Sequence, residues 1–222
     1  SGDDYVLKNY FWSKVNHKMK EKYGLPISAI PFDLNLAQTT KEIALHHNKL
    51  ALKTILDISE KSIISDSSKN PNRLDDLLGS KLFNVRVIYL VRDGRAVVHS
   101  YRRKYNSFFV GWRNLIRIDN ASKRLKEKYG SNNWLTVRYE DLATNLEGTL
   151  RKICKFSKIK FELSMLSPDT SKFNGVGGNR MRKYPIENIK LDTEWKNKKL
   201  GIVSIFISLI VSNFNRKHSY KN

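Results

Sequence analysis

One stretch constrains this chain more than any other. Val85-Arg86-Val87-Ile88-Tyr89-Leu90-Val91 runs straight into Arg92-Asp93 and then into a helical pattern. The run is nearly continuous apolar and rich in β-branched residues, the pattern of a strand covered on both faces in a parallel sheet. Asp93 is a residue type that caps helices, so a helix is expected directly after it, reaching about Lys104. Trp134 to Arg138 reads as another buried strand and Ser62 to Ser65 as a short one. Helices are expected over about 36–59, 74–78, 111–129 and 146–156, with a last one starting near Asp192. Strands alternating with helices imply an α/β fold with a doubly wound parallel sheet. Residues 1–33 read as irregular and aromatic-rich, and Pro26 and Pro31 end any early helix. Residues 160–190 read as a loop bearing Pro168, Gly175, Gly177, Gly178 and Pro185.

The 222 residues suit one domain, or one with a small appendage, and 40% hydrophobic content is enough for a substantial core. A net charge of +20 favours an anionic partner, although scattered lysines on a solvated surface account for much of it. The single cysteine, Cys154, excludes an internal disulfide and a cysteine zinc site, and its apolar helical setting reads as a buried thiol. His46 and His47 have no companion at ligand spacing, so no metal is expected. The run Leu200–Val211 is short for a membrane span and reads as a buried core helix. No signal peptide or anchor is visible at Ser1. No helix-turn-helix, RNP or zinc pattern points to nucleic acid.

In α/β sheets, ligands bind beyond the carboxyl ends of strands, where Arg92 stands. Ser100 comes seven residues after Asp93, about two turns, and so shares a face with the helix start. The Arg92 guanidinium, the first-turn amides and the Ser100 hydroxyl can converge on one anion such as a phosphate. Alternatively, Arg92 simply pairs with a carboxylate and Ser100 is merely exposed.

The stretch Val87–Tyr101 resembles the 3′-phosphate-binding motif of sulfotransferases that use 3′-phosphoadenosine 5′-phosphosulfate. In that family the motif's arginine and serine, here Arg92 and Ser100, hold the 3′-phosphate; Gly94 stands where proline is common. Three further segments match in order. Ile63 to Lys69 resembles the strand-end DSSK of a carbohydrate-type and bacterial branch, Val137 to Leu142 resembles RYEDL, and Gly178 to Arg182 with Trp195 resembles a closing GNPMR…W segment.

The resemblance implies a sheet of the P-loop nucleoside-triphosphate-hydrolase type within a single domain over 1–222. It also implies transfer of a sulfuryl group from that nucleotide to a hydroxyl. Lys69 would stabilise the bridging oxygen, Asp66 would orient Lys69 or act as base, and Asn179 and Arg182 would close over the nucleotide. Asp66 could equally cap its own turn through Ser68. His99 points away from Ser100 along the helix, and Glu140 and Asp141 read as first-turn acids with a structural role.

The family's strand and phosphate loop for the 5′-phosphosulfate have no counterpart in residues 1–33. Phe11-Trp12 resembles a part of the family that normally lies several tens of residues after that loop. The expectation is an N-terminally incomplete domain, inactive and poorly stable as it stands, with unpaired sheet edges. The competing readings are a non-enzymatic polyanion-binding domain, for heparin or nucleic acid, and a nucleotide kinase. The latter's Gly-Lys-Ser/Thr loop and acidic magnesium ligand are not seen. The carbohydrate-type motifs favour a glycan hydroxyl as acceptor, with a small alcohol, amine or lipid as alternatives. The compartment would be the Golgi lumen for a eukaryotic protein and the cytoplasm for a bacterial one.

Overall fold

The computed structural model describes residues 9–32, 39–167, 191–197 and 202–220. They divide into two compact units, one ending at Val85 and the other beginning at Arg86.

The first unit is helical. α1 (Tyr10–Tyr23) is capped by Asn9, whose Oδ1 accepts from the Phe11 amide at 3.0 Å, and it stops at Gly24 with φ 67°. This helix corrects the irregular reading of residues 1–33: an asparagine cap and a left-handed glycine bracket it in the sequence. α2 (Lys41–Ser59) packs on α1 through Val15, Met19 and Ala51, all fully buried, with Ile27 and Ile30 beside them. α3 (Pro71–Gly79) starts from an Asn70 cap with proline in its first turn.

Arg73, 6% exposed, ties this unit together. Its Nε donates to Asp66 at 2.8 Å, and its NH1 donates to Asn48 and to the Phe32 carbonyl. Ser62–Ser65 forms no strand, contrary to expectation; among the described residues it has no ladder partner, and Ile63 is half exposed.

The second unit holds the sheet. β1 (Val87–Val91) pairs in parallel with β2 (Trp134–Arg138), in register from Val87 opposite Trp134 to Val91 opposite Arg138. Burial along β1 alternates. Ile88 and Leu90 are exposed, so the apolar run is covered on one face only, not on both as its composition suggests.

α4 (Gly94–Tyr105) and α5 (Phe108–Tyr129) link the strands, joined by a left-handed Asn106 and a Ser107 cap. The two helices approach closely at Gly111, where a Cβ would lie 2.8 Å from Tyr101 Cβ. α6 (Tyr139–Thr144) and α7 (Leu146–Ser157) come after β2, and Cys154 is buried in α7 as expected. A single 3-10 turn spans Glu194–Asn197, where the sequence suggests a longer helix.

α8 (Ile202–Lys217) buries Ile207, Val211 and Phe214, the first two against Val98 of α4 and the third against Val91. Its other face leaves Ile202, Ile205, Phe206 and Leu209 more than half exposed, so it is not the fully buried helix that its apolar run suggests. Among the described residues, no helix is long and apolar enough to cross a membrane.

The C-terminal end of α8 is fixed by Asp119 on α5. Lys217 Nζ lies 2.8 Å and His218 Nε2 2.9 Å from its carboxylate, and the Tyr89 hydroxyl donates to it at 3.2 Å. Burial pushes the Asp119 carboxyl up, but the bonds from His218 and Lys217 outweigh that and hold it below its ordinary value. Its folded pKa therefore lies below the unfolded value of about 3.9. The stabilisation is complete above the unfolded value and fades as pH falls through the folded one. Below about pH 4, stability measured by circular dichroism should fall less steeply for Asp119→Asn than for the native chain.

Candidate functional site

The parallel register places Val91 beside Arg138, so the residues that leave the two strands at their carboxyl ends are neighbours. Arg92-Asp93 and Tyr139-Glu140 meet there. The Arg92 guanidinium stacks over the Tyr139 ring at 4.6 Å, and the Asp93 amide donates to Glu140 Oε1 at 3.1 Å. Glu140 Oε2 accepts from the Tyr220 hydroxyl at 2.6 Å. Burial, then this bond, raises the phenol of Tyr220 far above its ordinary range, so it stays a donor. Glu140 is thus a structural acid, as expected, and its role is specific: it clamps the strand–helix junction.

The first amides of α4 are engaged by protein groups. Asp93 caps it by accepting from the Arg95 amide at 2.9 Å and grips the Arg95 guanidinium through both oxygens. The Gly94 amide donates at 2.8 Å to Asn215 Oδ1, and Asn215 Nδ2 donates to Asp93. The expectation that first-turn amides would help hold an anion is therefore narrowed: the amides of Asp93, Gly94 and Arg95 have protein acceptors. Asn215, wholly buried, and Glu140 lie far from the junction in sequence, which is why residue spacing does not reveal them.

Gly94 has a packing reason. A Cβ there would lie 2.9 Å from Val211 Cβ, 3.0 Å from Asn215 Oδ1 and 3.1 Å from a Leu115 methyl. Gly94→Ala should therefore cost about 1–3 kcal/mol in chemical denaturation, by overpacking α4 against α8.

Arg92 and Ser100 line one shallow depression, together with Ala96, His99, Arg103, Asp192, Glu194 and Trp195. Its outer wall is the segment 191–197. Arg92 NH2 pairs with Asp192 Oδ2 at 2.8 Å, while the Asp192 amide donates to the Tyr139 hydroxyl at 3.1 Å. Asp192 Oδ1 accepts from the Glu194 amide, and Glu194 faces Arg103 at 3.3 Å. The hydrogen bond from Arg92 is the main cause that holds the Asp192 carboxyl below its ordinary value. Trp195 lies under Arg95, 5.1 Å from ring to guanidinium, and beside His99. Arg92 Nε is buried and has no hydrogen-bond partner among the described residues.

His99, which the sequence places away from Ser100, lines the same depression. Sequence spacing does not bring Asp192 or Arg103 there, nor Tyr139 against Arg92, and it marks Trp195 only as part of a motif.

Asp66 and Lys69 lie in the first unit. Asp66 Oδ1 accepts from the Ser68 amide at 2.9 Å and Oδ2 from Arg73. Burial pushes its carboxyl up, but the bonds from Arg73 and Ser68 more than offset that and leave it below its ordinary value. Lys69 is exposed and has a left-handed backbone, φ 58°. Asn179 and Arg182 lie outside the described residues.

Residues 9–162 match the model of the sulfotransferase family. Among solved structures, the chain is similar to the sulfotransferase domain from the curacin biosynthetic pathway, at 17% identity and a TM-score of 0.55 over 92% of this chain and 83% of that one. It is also similar to the sulfotransferase domain from the Synechococcus PCC 7002 olefin synthase, at 20% identity and a TM-score of 0.52 over 94% of this chain and 82% of that one. At these identities the likeness is one of fold. No curated protein sequence matches. The family match covers more than half of the chain and includes both strands and the Arg92–Ser100 helix: the chain belongs to the sulfotransferase family.

Proposed function

We propose that the chain binds 3′-phosphoadenosine 5′-phosphosulfate and takes part in transfer of its sulfuryl group to a hydroxyl acceptor, with Arg92 and Ser100 gripping the 3′-phosphate. One observation carries this reading. A guanidinium at the carboxyl end of β1 shares a depression with the Ser100 hydroxyl two turns along α4, and its Nε–H lacks a partner among the described residues. A phosphate offers oxygens to both edges of such a fork, and charge-assisted bonds of this kind contribute about 1.5–3 kcal/mol each.

In the transfer, the acceptor oxygen forms a bond to sulfur while the bond from sulfur to the nucleotide's bridging oxygen breaks. The electron pair leaves with adenosine 3′,5′-bisphosphate, and the acceptor's proton passes to a base. Lys69 is assigned to the charge that grows on the bridging oxygen. Its left-handed backbone, between the Asp66 turn and the Asn70 cap, is shared by Lys81 and Lys158, so the assignment rests on the resemblance of its segment rather than on its conformation. Asp66 shapes that turn. Its lowered pKa and two donors make it a poor proton acceptor, so we give it an orienting role rather than that of the base. Asn179 and Arg182 are assigned to the nucleotide by resemblance alone, and a glycan hydroxyl is the acceptor that the carbohydrate-type motifs favour.

The net charge of +20 also suits a non-enzymatic binder of heparin or another polyanion. Calorimetry separates the two readings. The nucleotide reading expects saturable one-to-one binding of adenosine 3′,5′-bisphosphate that weakens about tenfold in Ser100→Ala. Steeply salt-dependent binding of heparin, with no response to that substitution and no heat from the nucleotide, would establish the polyanion reading instead.

A further inference from the structure

We infer that the segment 191–197 is a carboxylate latch that occupies the anion site of this chain in its free state, and that the nucleotide's phosphate binds by displacing Asp192 from Arg92. The inference rests on the assignment of Arg92 to the 3′-phosphate.

Asp192 stands where a phosphate oxygen would stand, 2.8 Å from Arg92 NH2. Glu194 repeats the arrangement one step along, against Arg103. Two carboxylates thus neutralise two of the cations that line a depression otherwise suited to an anion. A phosphate cannot take up the full guanidinium fork while Asp192 holds one of its nitrogens.

The geometry also makes the latch weak enough to open. Asp192 engages Arg92 through one carboxylate oxygen, because the other accepts the Glu194 amide, and adds only a long contact from the same Arg92 nitrogen to its backbone carbonyl at 3.5 Å. Arg92 Nε is left unmatched, and the paired side chains are 24% and 38% exposed. The Arg103–Glu194 pair is more exposed still, at 64% and 72%. Exposed single-point pairs are worth little, whereas a bidentate phosphate would use both edges of the fork. The segment is held at two further points that do not compete with an anion: the Asp192 amide on the Tyr139 hydroxyl, and Trp195 against Arg95. Release of Asp192 therefore frees the site without requiring the whole segment to depart.

Asp192→Asn is the discriminating variant. Asparagine keeps an oxygen for the Glu194 amide and puts an NH2 group where the other oxygen faced Arg92, so it removes both the charge and that acceptor. Calorimetry should show adenosine 3′,5′-bisphosphate binding about fivefold more tightly than to the native chain, the equivalent of losing one exposed ion pair as competitor. Unchanged or weaker binding to Asp192→Asn, with native binding still dependent on Arg92, overturns the latch and leaves the phosphate assignment standing. Native binding that is indifferent to Arg92 overturns both.

A second measurement needs no variant. On addition of the nucleotide, hydrogen exchange in 191–197 should speed up severalfold. Slower exchange there would mean that the segment closes over the ligand rather than yielding to it, and the latch would be wrong. A third reading works without any ligand: Arg92→Gln should by itself speed exchange in 191–197, and an unchanged rate would show that the pair does not hold the segment.

Discussion

Arg92→Ala is expected to weaken binding of adenosine 3′,5′-bisphosphate by about a hundredfold or more, read by calorimetry at fixed salt. The magnitude comes from the fork. A phosphate bound through two charge-assisted bonds gains about 3–6 kcal/mol from it. Displacing Asp192, a half-exposed partner, returns about 1 kcal/mol at most. The remainder is about 2.7 kcal/mol or more over most of that range, or two factors of ten. Arg92→Lys keeps the charge as a single point and loses the planar fork, so it should fall between, at about tenfold. The control is Lys152→Ala, an exposed lysine on α7, which removes one positive charge elsewhere and should change affinity by less than about threefold. If the substitutions at Lys152 and Arg92 weaken binding alike, the nucleotide responds to overall charge, and the 3′-phosphate assignment fails.

How much of this is legible in the sequence depends on how local each determinant is. The β1–Asp93–α4 junction is legible because strand, cap and helix succeed one another within a few residues. Arg92 and Ser100 are legible because helical periodicity fixes their common face. α1 is equally local in its signals, Asn9 and Gly24, but its aromatic residues and the nearby prolines mask them and favour an irregular reading.

The tertiary partners are not legible. Asn215 reaches Gly94 across 121 residues, Glu140 reaches the Asp93 amide across 47, and Asp192 reaches Arg92 across 100. Each is a polar side chain whose value comes from the backbone group or charge it meets, and no periodicity announces such a meeting. Faces fail for a related reason. Apolar composition in β1 and α8 shows that a surface can be covered; the structure leaves Ile88, Leu90, Ile205 and Leu209 exposed. Position 94 holds a glycine whose neighbours leave no room for a Cβ, a constraint that exists only once α8 has packed on α4.

The second large effect is on stability. Glu140→Ala should lower the melting temperature by about 5–15 °C, because a half-buried carboxylate with two donors is removed. Each bond to the charged acceptor is worth about 1.5–3 kcal/mol, and the loss strands the Asp93 amide and the Tyr220 hydroxyl, which burial keeps protonated. Glu140→Gln retains one oxygen, which can satisfy one donor but not both, so it should recover about half of the loss. Tyr220→Phe removes one of the two bonds and should cost less than Glu140→Ala. Because both residues sit on the same carboxylate, the double variant should be less destabilised than the sum of the singles.

A purely structural Glu140 would move only the melting temperature. The clamp holds the residue next to Arg92, so Glu140→Ala should also weaken adenosine 3′,5′-bisphosphate binding severalfold when measured well below its melting temperature, and Glu140→Gln should restore part of that affinity. Additive melting shifts in the Glu140 and Tyr220 pair would show that the carboxylate does not couple α6 to Tyr220. Unchanged nucleotide affinity in Glu140→Ala would show that Arg92 keeps its aim without the clamp.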